Sequence, residues 1–260
     1  MMNIRTVAIT LGLLLLGPSV VHAADHPDLK ALMEKGPQAL LEETDKKHNA
    51  FDDQTIRISM TIEGGTNDGT TIETTTHTKG KNRRAIRMHA PANLKGMGVV
   101  VKSRDEIYVR LPDSRKVRRV GSHAKRQTFM GTTWNFDDMS MIWLAPDFTA
   151  TLESETDTHV ILKLSLRDGI DLQYKSVTAY VVKEKLVIDQ MKYFNDAGEH
   201  VKTQTRSELK ITDAGIATFH NVVMKDEKSN VLTRTKVLSE KVNSGLKDKM
   251  FGRRWLSRGP

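Results

Sequence analysis

Cysteine is absent from this chain of 260 residues, and aromatic side chains make up only 5% of it. Without cysteine no disulfide can stabilise the fold, so stability must come from a hydrophobic core, which a chain of this length can build. Long apolar runs are missing too. The run from Val7 to Leu16 is about half the ~20 residues that a membrane-spanning helix needs. We therefore expect no transmembrane anchor.

The short apolar run has the features of an export signal. Arg5 precedes it, and Gly17-Pro18 and small residues up to Ala23 follow it, which is the pattern of a cleavable secretory signal. No cysteine follows that would accept a bacterial lipid anchor. We expect cleavage after Ala23 and a soluble, monomeric protein in the periplasm, with one domain over residues 24–260.

Acidic residues are outnumbered, since 40 Lys and Arg face 32 Asp and Glu and give a net charge of +8. For an exported protein the expected anionic partners are lipid head groups and acidic protein surfaces. Nucleic acid is not expected, because no aromatic stacking platform accompanies the cations. Six cations lie within twelve residues: Arg115, Lys116, Arg118, Arg119, Lys125 and Arg126.

This basic run has two interpretations. Lys and Arg protect an edge strand from unwanted pairing, and they also form docking surfaces for acidic partners. The number of cations exceeds what edge protection needs, so we favour docking. The predicted docking residues are Arg115, Arg118, Arg119, Lys125 and Arg126.

The hydrophobic pattern predicts a mainly β protein. Residues 27–47 favour helix, with a break at Gly36-Pro37. From Gln54 to Leu238 apolar residues recur with period two between turn signals, which indicates about a dozen short antiparallel strands. A sheet of that size must curl, and we favour a curved half-barrel with helices covering its concave face over a closed barrel. Ser244 to Leu256 is predicted to be a short helix or lid.

No catalytic or cofactor motif is present. The chain has no G-x-S-x-G, P-loop, dinucleotide-binding glycines or H-E-x-x-H, and its nine histidines are scattered. A metal site built from distant histidines stays open but is not expected. Asp137-Asp138 are candidates for acid–base chemistry or for capping a helix that starts near Met139, and we favour the cap. We expect no enzyme activity, no cofactor and no metal.

A cluster of large apolar residues follows the basic run: Phe129, Met130, Trp134, Phe136 and Met139. Ordinary core is the interpretation that composition alone favours. Methionine also suits the wall of a cavity whose contents vary in shape, because its side chain is flexible and polarizable. Both interpretations remain open on the pattern alone.

The order of motifs adds a resemblance. PANLKGMGVVV begins at Pro91, YVRLP at Tyr108, KVRRV at Lys116, FMGTTWNFDDM at Phe129 and NSGLKDKMFGRRWL at Asn243. This order resembles the outer-membrane lipoprotein-sorting (LolA-like) family, in the branch associated with RND-type exporters, over roughly residues 50 to 256. Thr132-Thr133 stand where that branch has Ser-Asp.

The resemblance implies a curved antiparallel half-barrel with a helical lid and a hydrophobic cavity, without catalytic residues. It also implies a periplasmic carrier that shuttles a lipid or lipoprotein between envelope membranes with an RND-type exporter and with transient membrane contact. The expected lid is the 129–139 segment. The residues expected to contact acyl chains are Ile58, Met60, Ile86, Met88, Met97, Phe129, Met130, Trp134, Phe136 and Met139.

Two other functions stay open. The first is a lipid-sensing regulatory module of the envelope stress response, because proteins of that kind share the LolA-like fold. The second is a secreted hydrolase with an unrecognised site, in which His123 or Asp137 would be needed. The identity of the cargo does not follow from the sequence.

Overall fold

The computed structural model describes residues 25–112 and 116–258, so the expected signal segment 1–23 and Arg115 lie outside the described residues. Five α-helices are present in the described ranges: α1 (Leu29–Lys35), α2 (Pro37–Asn49), α3 (Ser122–Lys125), α4 (Phe136–Ser140) and α5 (Arg253–Ser257). Three 3-10 turns occur at Gly65–Asn67, Ala92–Leu94 and Asp248–Phe251.

Thirteen strands are present in the same ranges. They are β1 (Asp53–Glu63), β2 (Thr71–Lys79), β3 (Arg83–Ala90), β4 (Gly98–Ser103), β5 (Glu106–Arg110), β6 (Val117–Arg119), β7 (Phe148–Glu155), β8 (His159–Leu166), β9 (Ser176–Val182), β10 (Val187–Phe194), β11 (His200–Ile211), β12 (Ala217–Asp226) and β13 (Leu232–Val242).

All thirteen strands belong to one antiparallel sheet. Its order is β6-β5-β4-β3-β2-β1-β13-β12-β11-β10-β9-β8-β7, so β6 and β7 form the two edges and the curved sheet does not close into a barrel. The predicted fold class, a mainly β half-barrel with a few helices, is confirmed. The predicted helix break is also present, because α1 ends before Gly36 and α2 starts at Pro37.

The inner, concave face carries two separate hydrophobic cores. In one core, α1 and α2 pack against β7–β11. In the other, Phe129 and Met139 pack against β1–β5. Trp134 contacts both cores. The space between them is the candidate site described below.

One long connection joins the two edges of the sheet. It runs from β6 to β7 and includes α3 and α4, and we call it the covering segment (residues 120–147). Its backbone and side chains reach strands in the middle of the sheet: Thr133 donates to Met224 O on β12, and Asp138 binds Lys202 on β11. The segment therefore crosses the concave face.

The end of the chain covers the opposite face, which corrects the expectation that Ser244 to Leu256 helps to cover the concave side. Phe251 and Leu256 pack on Ala85 and Val100, whose sequence neighbours face the inner core. Alternate residues of a strand point to opposite sides, so this C-terminal segment (residues 244–257) lies on the convex face. Gly98 permits its close approach, because a Cβ there would lie 2.6 Å from Leu256 Cδ1.

Candidate functional site

A cavity of about 340 Å³ lies between the concave face and the covering segment. Its size is at the lower end of the roughly 300–1,000 Å³ typical of small-molecule sites. Strands β1–β3 form one wall and β10–β13 the other, while the C-terminal half of α2 and the covering segment close it. The two cores thus leave a void between them.

Seven of the ten residues predicted to contact acyl chains line this cavity: Ile58, Met60, Ile86, Met88, Phe129, Trp134 and Met139. The remaining three lie nearby without lining it. Met97 is fully buried in the core of β1–β5. Met130 and Phe136 are partly buried against that core, and Phe136 packs edge-on against Phe129 with 5.3 Å between ring centroids.

The strand register makes the two ends of the cavity wall chemically different. Ile58, Thr74 and Met88 are paired across β1, β2 and β3 near one end. The next row of residues that face the cavity is also mostly apolar. The row after that consists of Gln54, Thr78 and Arg84. We call this row the polar end of the cavity.

Several polar residues of the cavity were missed by the sequence analysis. His48 and Asp45 on α2 and Arg206 on β11 line it, in addition to Arg84. Burial is the main reason why the pKa of His48 is lowered to about 4 and that of Asp45 is raised to about 6. Burial also lowers the pKa of Arg84 to about 10, so Arg84 remains a cation at neutral pH.

The covering segment is fixed by a buried polar cluster around Asp138. Its carboxylate accepts a hydrogen bond from Lys202 Nζ at 2.8 Å and one from the Tyr174 hydroxyl at 2.6 Å. It also accepts from Asn135 N, while Asn135 Oδ1 accepts from Asp138 N. This capping box starts α4 at Phe136, three residues before the predicted start, and the N-cap is Asn135 rather than an aspartate.

The Thr132-Thr133 pair, where the family resemblance has Ser-Asp, makes specific contacts. Thr133 N donates to Thr233 Oγ1 at 2.9 Å and Thr133 Oγ1 donates to Met224 O at 3.0 Å. Thr132 Oγ1 donates to Phe129 O and closes the turn around Gly131, whose φ of +79° favours glycine. Threonine therefore supplies polar contacts at this position without a buried charge.

Residues 139–145 of the covering segment are attached by three sets of contacts. Arg84 Nη1 donates to Met139 O at 2.9 Å, and Asn49 Nδ2 donates to Ile142 O at 3.1 Å. Asp45 accepts hydrogen bonds from Leu144 N and Ala145 N. These contacts tie residues 139–145 to β3 and α2.

The predicted docking residues fall into two groups. Arg118 and Arg119 are exposed on edge strand β6, and Arg126 is exposed and pairs with Asp171 at 2.6 Å. Lys125 is only 4% exposed, which corrects the expectation of a surface cation. Its ammonium lies 3.3 Å from the exposed Asp105 carboxylate and 3.9 Å from the buried Asp137 carboxylate, so its charge is directed into the fold.

Within residues 25–112 and 116–258, no group of three or more His, Asp or Glu side chains is arranged to hold a metal ion. In the same part of the chain, no helix combines the length and hydrophobicity needed to cross a membrane.

A family model described as an uncharacterized protein matches residues 80–258, which is more than half of the chain. The chain belongs to this DUF1329-like family. No curated protein matches it.

Solved structures match this member of the family over most of its length. A DUF1329 family protein from Desulfovibrio piger has a TM-score of 0.79 at 21% identity, with 85% of this chain and 98% of that chain covered. A putative outer membrane lipoprotein-sorting protein domain from Vibrio parahaemolyticus has a TM-score of 0.76 at 16% identity, covering 86% and 99%. A LolA superfamily protein from Nitrosomonas europaea has 0.72 at 18%, covering 84% and 98%.

These likenesses show the fold of this DUF1329-like protein. The curved sheet is that of the LolA superfamily and of outer membrane lipoprotein-sorting domains, so the resemblance inferred from the motif order is confirmed at the level of fold.

Proposed function

We propose that the protein is a periplasmic carrier that holds acyl chains of a lipid or lipoprotein between the concave face and the covering segment. The observation that carries this proposal is the cavity itself, whose walls include Ile58, Met60, Ile86 and Met88 from the sheet and Trp134 from the covering segment. Burial of each methylene group is worth about 0.8 kcal/mol. An apolar wall is therefore sufficient for affinity without a cofactor.

The closed cavity is small for a lipid, so loading requires the covering segment to move. The part up to Asp138 is held by the buried Asp138–Lys202 pair, which is costly to separate. Residues 139–145 are held by hydrogen bonds that Arg84 and Asn49 donate and that Asp45 accepts. We propose that residues 139–145 move away when cargo enters, and that a partner releases the cargo by favouring the open state.

An inner-membrane RND-type transporter, as the sequence resemblance implies, is the proposed partner. The docking surface we assign to it is the basic edge, defined by Arg118 and Arg119 on β6, with Arg126 beside it. Both β6 arginines are exposed at the free edge of the sheet. Such charges speed the encounter with an acidic surface more than they strengthen the final complex.

Two adjacent residues of β2 provide a matched test of the carrier function. Thr76 lines the cavity, whereas Thr75 lies on the opposite face and contacts His89. Thr76→Phe puts a ring into the cavity, and Thr75→Phe puts the same ring outside it. Protein purified without detergent is analysed by native mass spectrometry for bound lipid and titrated with a fluorescent fatty acid.

We expect the wild type and Thr75→Phe to bind the probe and Thr76→Phe to lose at least about tenfold in affinity, which is about 1.4 kcal/mol. A wild-type protein that carries no lipid and ignores the probe would contradict the carrier function. Equal binding by the two phenylalanine variants would place the binding site elsewhere.

A further inference from the structure

The polar end of the cavity contains a cation without a counter-ion. Arg84 Nη1 has one hydrogen bond, to Met139 O, and Arg84 Nε has no partner within the protein. No carboxylate of the described residues lies within 4.0 Å of its guanidinium. Buried charges are normally paired, because leaving water costs several kcal/mol that an unpaired ion does not regain.

Three other interior cations are paired with carboxylates: Lys202 with Asp138, Lys125 with Asp105, and Arg104 with Asp147. Arg87 and Arg206 form no ion pair within the described residues, but each donates two hydrogen bonds, Arg87 to Gly96 O and Trp255 O, and Arg206 to Gln204 Oε1 and Ile188 O. Arg84 differs because it has a single hydrogen bond and its side chain enters the cavity. It keeps some accessible surface, and that surface forms part of the cavity wall.

The acidic groups around the cavity have other partners than Arg84. Glu240 on β13 accepts hydrogen bonds from Gln54 and Thr218. Strands β1 and β2 separate it from β3, which amounts to three strand spacings, or roughly 14 Å along the sheet. Asp45 is engaged by the amides of Leu144 and Ala145.

Other buried polar atoms of the cavity also lack protein partners. They are His48 Nε2, Thr74 Oγ1, Trp134 Nε1 and Thr235 Oγ1. His48 Nδ1 donates to Ala217 O at 2.9 Å, so Nε2 of the neutral ring is left as an acceptor. Buried polar atoms without partners are rare in folded proteins. Thr74 and Thr235 are paired with Met88 and Met60 towards the other end, so the residue that marks the polar end for an anion is Arg84.

We propose that the cavity binds an amphiphile with an anionic head group, and that Arg84 holds the oxyanion at the polar end while the chain lies along Ile86 and Met88. The head group is a carboxylate or a phosphate, both of which accept the paired N–H donors of a guanidinium. This inference rests on the proposed carrier function and specifies the class of its cargo.

Three ligands with the same alkyl chain separate charge from hydrophobicity. Dodecanoate carries a carboxylate, dodecyl phosphate a phosphate, and dodecanol no charge. Each ligand is kept below its critical micelle concentration or, for dodecanol, below its solubility limit, and detergent-free wild-type protein is titrated into it by calorimetry at pH 8. We expect at least one anion to bind about tenfold more tightly than dodecanol, equivalent to about 1.4 kcal/mol. The tighter anion distinguishes a fatty acid from a phospholipid head group.

Variants at two neighbouring positions of β3 test the role of Arg84. Arg84→Gln should lower the affinity for the anion about tenfold and leave dodecanol binding unchanged, whereas Arg84→Lys should retain most of the preference. Arg83→Gln is the control, because Arg83 points to the convex face and pairs with Asp248. Circular dichroism confirms that each variant is folded.

The outcomes separate this inference from the carrier function. If the wild type binds dodecanol as tightly as both anions, the anion site is refuted and the carrier function stands. If Arg84→Gln weakens all three ligands equally, Arg84 acts only by holding the covering segment, and the anion site is again refuted. If no ligand binds the wild type, both proposals fail.

Discussion

The covering segment and the C-terminal segment protect opposite faces of the same sheet with different chemistry. The covering segment is anchored by a buried carboxylate and leaves a cavity whose wall has unpaired polar atoms. The C-terminal segment packs Phe251 and Leu256 against β3 and β4 over a glycine, and Arg87 stacks on Trp255 at 4.2 Å. Close packing on one face and a void on the other place the candidate site on the concave face.

Both segments are also attached by an aspartate that accepts hydrogen bonds from their backbone amides. Asp45 accepts from Leu144 and Ala145 of the covering segment. Asp53 accepts from Ser244, Gly245 and Leu246 of the C-terminal segment. Asp45 lies deep beside the cavity and its pKa is raised by burial. Burial also acts on Asp53, but its larger set of hydrogen bonds lowers the pKa of that carboxyl.

The largest expected effect comes from removing the buried anchor of the covering segment. Asp138→Ala leaves the Lys202 ammonium buried without a carboxylate, which should cost about 3–5 kcal/mol of unfolding free energy. The matched change on the convex face is Asp248→Ala, because Asp248 pairs with Lys79 and Arg83 at the surface. Guanidinium chloride titration of both variants measures the difference, and a similar small loss in both would refute the claim that Asp138 anchors the segment.

The sheet and the position of the covering segment were predictable from the sequence, whereas its anchors were not. The period-two pattern of β1 and β3 arises from local alternation of side chains, which any half-buried strand must show. Asp138 and Lys202 are 64 residues apart, and the sequence around each of them does not indicate that they pair. The face covered by residues 244–257 was also unpredictable, because an apolar helix pattern does not specify a side of the sheet.

Part of the cavity chemistry was visible in the sequence and was overlooked. Arg84, Ile86 and Met88 alternate along β3, so the pattern already placed an arginine on the same face as two apolar residues. A cation on a core-facing position is unusual enough to mark a functional site. His48 had no such signal, because its role depends on contact with β12, far along the chain.

A smaller effect on the free energy of unfolding is expected from a change of pH, and it has opposite signs for Asp45 and Asp53. The pKa of Asp45 is raised to about 6 from 3.8, so its protonated form favours the folded state and its contribution is lost as pH rises from about 4 to 6. The loss should reach up to about 3 kcal/mol. The lowered pKa of Asp53 means that its contribution is present above its ordinary pKa and is lost as pH falls below it.

Differences between wild-type and variant stability isolate these contributions. His48 titrates in the same window with the opposite sign, because its lowered pKa makes stability fall as pH drops from 6.5 towards 4. Urea unfolding from pH 3 to 7 is therefore measured for wild type, Asp45→Asn and Asp53→Asn. If subtracting the Asp45→Asn curve leaves no slope between pH 4 and 6, the carboxyl does not have the raised pKa.

The smallest effect on stability is expected at the basic edge, where only transfer of the cargo should change. Arg118→Glu with Arg119→Glu alters exposed side chains of an edge strand, and most surface changes of this kind stay within about 0.5 kcal/mol. The same double change should slow the transfer of a fluorescent fatty acid to phosphatidylglycerol vesicles severalfold. The vesicles represent the anionic membrane surface around the transporter, which attracts basic residues. Trp134→Ala with Phe136→Ala should instead weaken binding of the probe and leave the electrostatic contribution to transfer unchanged. Stopped-flow transfer and equilibrium titration of both double variants test this division.

Added salt should reduce the difference in transfer rate between wild type and the arginine variant, because screening at ionic strengths near 1 M shortens the range of electrostatic attraction to about 3 Å. Equal weakening of probe binding by both double variants would mean that the basic edge and the cavity are not separable sites.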